Sequence, residues 1–116
     1  MVRLAATISF LVAIVSSPTW ANSFWTSDDL LNQCRSDDAA FIGICAGFAG
    51  AMADAIVMYQ TALDAPKMVC FPPAGVKLDR IRDIVVRYIE AHPQHGAYAA
   101  SQQAWLALKE GFPCSR

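Results

Sequence analysis

An all-α bundle braced by disulfides is the fold this chain predicts, and three observations predict it. Apolar residues recur at helical spacing through every long segment, and no stretch alternates with the period of two that a half-buried strand shows. Capping residues and Pro/Gly breakers divide the chain into one short and three longer helices. Four cysteines, Cys34, Cys45, Cys70 and Cys114, fall in a short chain whose opening reads as an export signal.

That opening comes first. With 116 residues the chain holds one domain at most. Arg3 supplies a positive start, Leu4 to Val15 an apolar run, and Thr19-Trp20-Ala21 a small-x-small cleavage site, which together predict a secretory signal peptide over residues 1–21. The run is too short to span a bilayer, and no stop-transfer pattern follows it. Cleavage after Ala21 leaves 22–116 as the mature domain. A formal net charge of −1 gives no electrostatic reason to expect nucleic acid or an anionic membrane as partner.

The first helix is expected to start at Ser27 as N-cap, with Asp28 and Asp29 in the first turn where the helix dipole favours them, and to run to about Arg35. Ser36-Asp37-Asp38 breaks it and caps the central helix, which continues to about Ala62 before Asp64-Ala65-Pro66 ends it. At about 100° per residue, Phe41, Cys45, Phe48, Met52 and Tyr59 fall on one side of that helix, and Gly43, Gly47, Gly50 and Asp54 nearly opposite. The bulky side calls for a core. The glycines lower helix propensity by roughly 1 kcal/mol each and admit a second backbone, either in a homodimer seam or in close packing within the chain. Asp54, the one charge on that stripe, is expected to be buried and hydrogen-bonded to a helix N-terminus or an arginine.

From about Leu63 to Gly75 a loop follows, with Pro72, Pro73 and Gly75 excluding regular structure; a loop this long in a small domain is a candidate for function. Leu78, Ile81, Ile84, Val85, Tyr88 and Ile89 share one arc of the third helix, and Asp79, Arg80, Asp83, Arg87 and Glu90 the other. Asp83 and Arg87 stand at the spacing of a supporting ion pair. Pro93 stops this helix after His92, which is expected to pack or cap, whereas His95 beside Gly96 is expected to be exposed. The fourth helix is expected from about Tyr98 to Glu110, with Ala104, Trp105, Leu108 and then Phe112 inward and Gly111 and Pro113 terminating it.

An even cysteine count in a small exported chain argues for disulfides, and the absence of Cys-x-x-Cys or of ligand spacing to His92 and His95 argues against a metal. Cys34 ends one helix and Cys45 opens the next. Cys70 precedes the third helix and Cys114 follows the fourth, so an antiparallel hairpin puts both at one end of the bundle. Of the three connectivities open to four cysteines, this order favours Cys34–Cys45 and Cys70–Cys114. No nucleophile elbow, phosphate loop, metal constellation or free Cys–His pair is present, and the acid pairs Asp28/Asp29 and Asp37/Asp38 read as caps. A binding protein without cofactor fits better than an enzyme.

Five pieces in register add a resemblance: Leu30-Leu31-x-x-Cys34; Cys45-x-Gly47-Phe48 with Gly50 and Asp54; Cys70-x-Pro72 with Gly75-Val76; Val85-Val86-Arg87-Tyr88-Ile89 before His92-Pro93; and Ala107-Leu108 with Phe112-Pro113-Cys114. Together they resemble the type VI secretion amidase immunity (Tai) family over nearly all of 22–116. The resemblance implies a periplasmic all-α homodimer that binds a peptidoglycan-cleaving cysteine amidase and blocks its cleft. Gly47-Phe48 stands where that family commonly has Gly-Tyr, and Lys77 and Arg80 stand where it often has Thr and Gln, differences that bear on which effector is bound. An inhibitor of this kind binds through pre-organised loops. Lys67 and Met68 in the Leu63–Gly75 loop, and His95 and Tyr98 in the next turn, are therefore the expected contacts, unless Met68 and Tyr98 pack inward. A small helical stress chaperone of the same compartment is the competing reading.

Overall fold

The computed structural model describes residues 24–115; the signal segment expected over 1–21 lies outside them. The first helix, α1 (Ser27–Cys34), is capped by Thr26 and not by Ser27. Thr26 Oγ1 accepts from the Asp29 N–H at 3.2 Å, while the Asp29 carboxylate accepts from the Thr26 N–H at 2.9 Å and from its hydroxyl at 2.8 Å. The two residues thus satisfy each other's orphan groups in a reciprocal box. Ser27 is left free for another task. Its N–H and hydroxyl both donate to the Tyr98 carbonyl, at 2.8 and 3.2 Å.

Helix α2 (Ala39–Ala62) starts as expected, the Asp38 carboxylate accepting from the Ala40 N–H at 2.8 Å. It ends where Asp64 takes a left-handed conformation, φ +47°, which a short polar side chain tolerates. Helix α3 (Leu78–Ala91) and helix α4 (Ala100–Gly111) form a hairpin through a 3-10 turn at Pro93–His95. Helix α4 begins two residues later than its sequence suggests. Thr26 and Ala99 pair as an isolated antiparallel bridge, and the Ala100 N–H donates to the Trp25 carbonyl at 2.9 Å, so extended backbone occupies that stretch.

The core is built from the inner faces of all four helices: Leu30 from α1, Ala49 and Ile56 from α2, Ile81, Val85 and Ile89 from α3, and Ala104 and Leu108 from α4. Alanines at 100, 104 and 107 let α4 sit close to its neighbours. At its end, a Cβ on Gly111 would come within 2.9 Å of Ile84 Cγ2. Phe48 and Met52 pack against this core as expected, but Phe41 and Tyr59 are 44% and 57% exposed. Length explains the difference. At 1.5 Å per residue α2 runs about 36 Å, whereas α3 runs about 21 Å and α4 about 18 Å, so the ends of α2 overhang. On the charged face of α3, Asp83 pairs with the adjacent Arg82 at 2.9 Å, and Arg87 Nε donates to the Asp83 carbonyl instead. Pairs this exposed contribute little.

Cys34 is bonded to Cys45 and Cys70 to Cys114, each with Cα atoms 5.0 Å apart, the pairing that the helix order favours. The bonds close loops of sequence separation 11 and 44. On loop-closure entropy alone, replacing Cys34 and Cys45 by Ser should lower the unfolding free energy by about 3 kcal/mol and replacing Cys70 and Cys114 by about 4 kcal/mol, as measured by urea denaturation. The N–H and then the hydroxyl of Thr26 hold the Asp29 carboxyl below the usual carboxylate range. A carboxyl lowered on folding stabilises above its unfolded pKa and ceases to do so as pH falls through the folded one. Asp29→Asn should therefore lower Tm near neutral pH, with the gap to the parent closing in acid. A gap that did not change with pH would contradict the box.

Candidate functional site

The expected contact residues fall into two clusters, each held by the framework just described. The first is the segment 63–77 between α2 and α3. Gln60, two residues before the end of α2, reaches into it: its Oε1 accepts from the Met68 N–H at 2.8 Å and the Val69 N–H at 3.0 Å, and its Nε2 donates to the Val69 carbonyl at 3.0 Å. Val69 is buried, and the next residue is fixed by the Cys70–Cys114 bond and by its N–H to the Phe112 carbonyl at 2.9 Å. Phe71 packs on Phe112 with ring centroids 4.8 Å apart. Lys67 and Met68 face outward, Met68 being 42% exposed. Beside Met68 lies an open apolar groove of about 530 Å³, walled by Met58, Tyr59, Pro66 and Trp105. Lys109 Nζ sits 5.2 Å from the Trp105 ring centroid, within cation–π range.

The second cluster is the α3–α4 turn, where four rings stack in a column. Tyr88 lies 4.1 Å from His92, His92 5.7 Å from His95, and His95 4.8 Å from Tyr98, centroid to centroid. His92 caps α3, its Nδ1 lying 2.6 Å from the Tyr88 carbonyl. A carbonyl only accepts, so Nδ1 carries the proton there. His95 is half-buried in this column and not exposed as its neighbour Gly96 suggested, while Tyr98 is 50% exposed. Backbone bonds from Ser27 to Tyr98 and from Asp28 to Gly96 clamp the turn to α1.

The glycine stripe of α2 divides. A Cβ at Gly43 or Gly47 would meet nothing within 4 Å, whereas one at Gly50 would lie 2.8 Å from Leu78 Cδ1. Gly50 therefore serves close packing on α3, and Gly43 and Gly47 face open space. Asp54 is exposed on that open face, not buried, because no helix of the chain covers it. Ile44, Val57 and Met58 are exposed around it, so α2 is apolar on both sides and long enough to cross a membrane by length and composition. All four cysteines are in disulfides, and among the described residues no group of three or more His, Cys, Asp or Glu is placed to hold a metal ion.

A sequence model of the Rap1a immunity proteins matches residues 26–114, from the Thr26 cap to the last cysteine. The chain belongs to that family. Rap1a proteins are type VI secretion immunity proteins, so membership implies a protein that binds a cognate effector and does not itself transform a substrate. Neither the curated proteins nor the solved structures returned a match. In this Rap1a-family chain Lys67, Met68 and Tyr98 are exposed on fixed supports, and His95 is held half-buried between His92 and Tyr98. Gln60 and the groove beside Trp105 were not foreseen. Gln60 carries no charge and no motif, and its partners lie eight and nine residues on in a segment without period.

The split stripe generates a comparison of two substitutions. Gly47→Ala should raise the stability of the monomeric chain by about 1 kcal/mol, the helix-propensity difference with nothing to strike. Gly50→Ala should gain less or lose, because Leu78 must give way. Urea denaturation at a concentration where the chain is monomeric reads both.

Proposed function

We propose that this protein is an exported periplasmic immunity protein that binds a peptidoglycan-cleaving amidase of type VI secretion, covers its active-site cleft and performs no chemistry of its own. The observation that carries this reading is the match to the Rap1a immunity proteins across 26–114, a range that takes in all four helices. Rigidity supports it. A loop and a turn already fixed by hydrogen bonds, a disulfide and stacked rings can enter a cleft without a large ordering cost. The amidase as target rests on the resemblance of the five sequence pieces to the Tai family.

The same reading includes a homodimer. Ile44, Gly47, Ala51, Asp54 and Met58 follow one another at spacings of three and four along the uncovered face of α2, the spacing at which two helices mesh. A second copy suits that face better than a bilayer does. Asp54 would be costly in hydrocarbon, and α2 is tied to α1 through Cys34–Cys45.

The test titrates residues 22–116, oxidised, into peptidoglycan-cleaving cysteine amidases of type VI secretion, one at a time, while peptide release from peptidoglycan is followed. Inhibition at one protomer per enzyme near neutral pH is expected, from a protein that sediments as two chains. An amidase left active, together with suppressed aggregation of unrelated clients in acid, would identify a chaperone instead.

A further inference from the structure

We infer that Gln60 is the positioning residue of the effector-binding edge, holding Lys67 and Met68 in the shape in which they meet the amidase. This rests on the immunity reading above and deepens it. Between Leu63 and Lys77 the chain has neither helix nor strand, and a segment of that kind ordinarily loses backbone freedom at every residue when a partner orders it. Here one side chain has already ordered the part that matters. The Gln60 amide makes three bonds to two consecutive residues, accepting from the N–H groups of Met68 and Val69 and donating to the Val69 carbonyl. Its orientation is fixed by those partners, since a flipped amide would set its NH₂ against two N–H donors.

Two features separate this arrangement from ordinary loop packing. Attachment of the loop to the core is already supplied one residue further on, by buried Val69, by the Cys70–Cys114 bond and by the Cys70 N–H to the Phe112 carbonyl. The additional bond to the Met68 N–H fixes the backbone of a residue whose side chain is 42% exposed and whose predecessor, Lys67, is exposed too. Fixing that backbone adds little to the interior. What it does is hold a flexible thioether and an ammonium outward in a constant geometry, beside the Trp105 groove. The carbon stem and charge of Lys67 and the thioether of Met68 suit a partner surface that offers an acidic group next to an apolar one.

The experiment uses the oxidised mature chain and three variants, Gln60→Ala, Gln60→Glu and Met68→Ala. Amide hydrogen exchange at Met68 and Val69 is measured in the free protein. Affinity is measured for a peptidoglycan-cleaving cysteine amidase of type VI secretion that the parent chain inhibits, inactivated at its catalytic cysteine. Gln60→Ala should speed exchange at both amides and weaken binding by about tenfold, the equivalent of re-ordering one residue's backbone. Gln60→Glu keeps an acceptor for both N–H groups but sets its second oxygen against the Val69 carbonyl, so its exchange rates and affinity should both fall between those of the parent and Gln60→Ala. Met68→Ala should leave exchange and Tm unchanged and still weaken binding. If Gln60→Ala loosens the loop yet binds as tightly as the parent, the inference is overturned while the immunity reading stands. If exchange does not change in Gln60→Ala, the amide does not hold the loop and the inference fails as well. Should Gln60→Ala not fold, unchanged affinity in Met68→Ala is decisive against it. A parent chain that does not bind the amidase removes the reading and the inference together.

Discussion

The linkage of Cys70 to Cys114 is the constraint on which the remaining architecture depends. It closes a ring containing the whole α3–α4 hairpin, and the Cys70 N–H to the Phe112 carbonyl makes the closure bifunctional, covalent and hydrogen-bonded at one residue. Such a closure matters because the core it encloses is lean. Ala49, Ala100, Ala104 and Ala107 are among its most deeply buried members, and each buries a single methyl group. At roughly 0.8 kcal/mol per buried carbon, alanines contribute far less than leucines would, while they allow helices to approach. A bundle with close helices and small side chains gains shape at the expense of burial, and cross-links restore the balance.

The same economy leaves α2 conspicuous. Only one side of it finds partners, because the helices available to cover it are roughly half its length or less. Its outer face keeps Ile44 and Met58 in water, and its overhanging ends leave Phe41 and Tyr59 exposed as well. Inner and outer faces thus divide the labour. Cys45, Ala49 and Ile56 hold the domain together, and the outer face remains free for a second helix.

How much of this was legible in the sequence depended on whether the deciding partner lay nearby. Helix α3 was clear because its arc of Ile81, Val85 and Ile89 is set by period alone, and both disulfides followed from which helix ends meet. The Thr26 cap was not legible, because Thr26 and Ser27 are both competent caps. The choice is made by the Tyr98 carbonyl, 71 residues away, which takes Ser27. A helical wheel turns Phe41 and Tyr59 inward because it contains no information about where a neighbouring helix stops. His95 looked exposed beside Gly96, yet its ring found faces to stack on three residues to either side. In the candidate site, Lys67 and Met68 could be named from loop position, but the amide that fixes them could not. Gln60 stands on a helix face and acts on an aperiodic segment, so no periodicity joins the two.

The seat of the first helix is made from the last. Trp25, Ser27 and Asp28 make backbone bonds to Ala100, Tyr98 and Gly96 on either side of the Thr26–Ala99 bridge, so residues at the start of the domain close against residues near its finish. On a chain synthesised from its N-terminus, α1 has no completed docking surface until residues 96–100 have emerged. Seating of the first helix is therefore a late event in assembly.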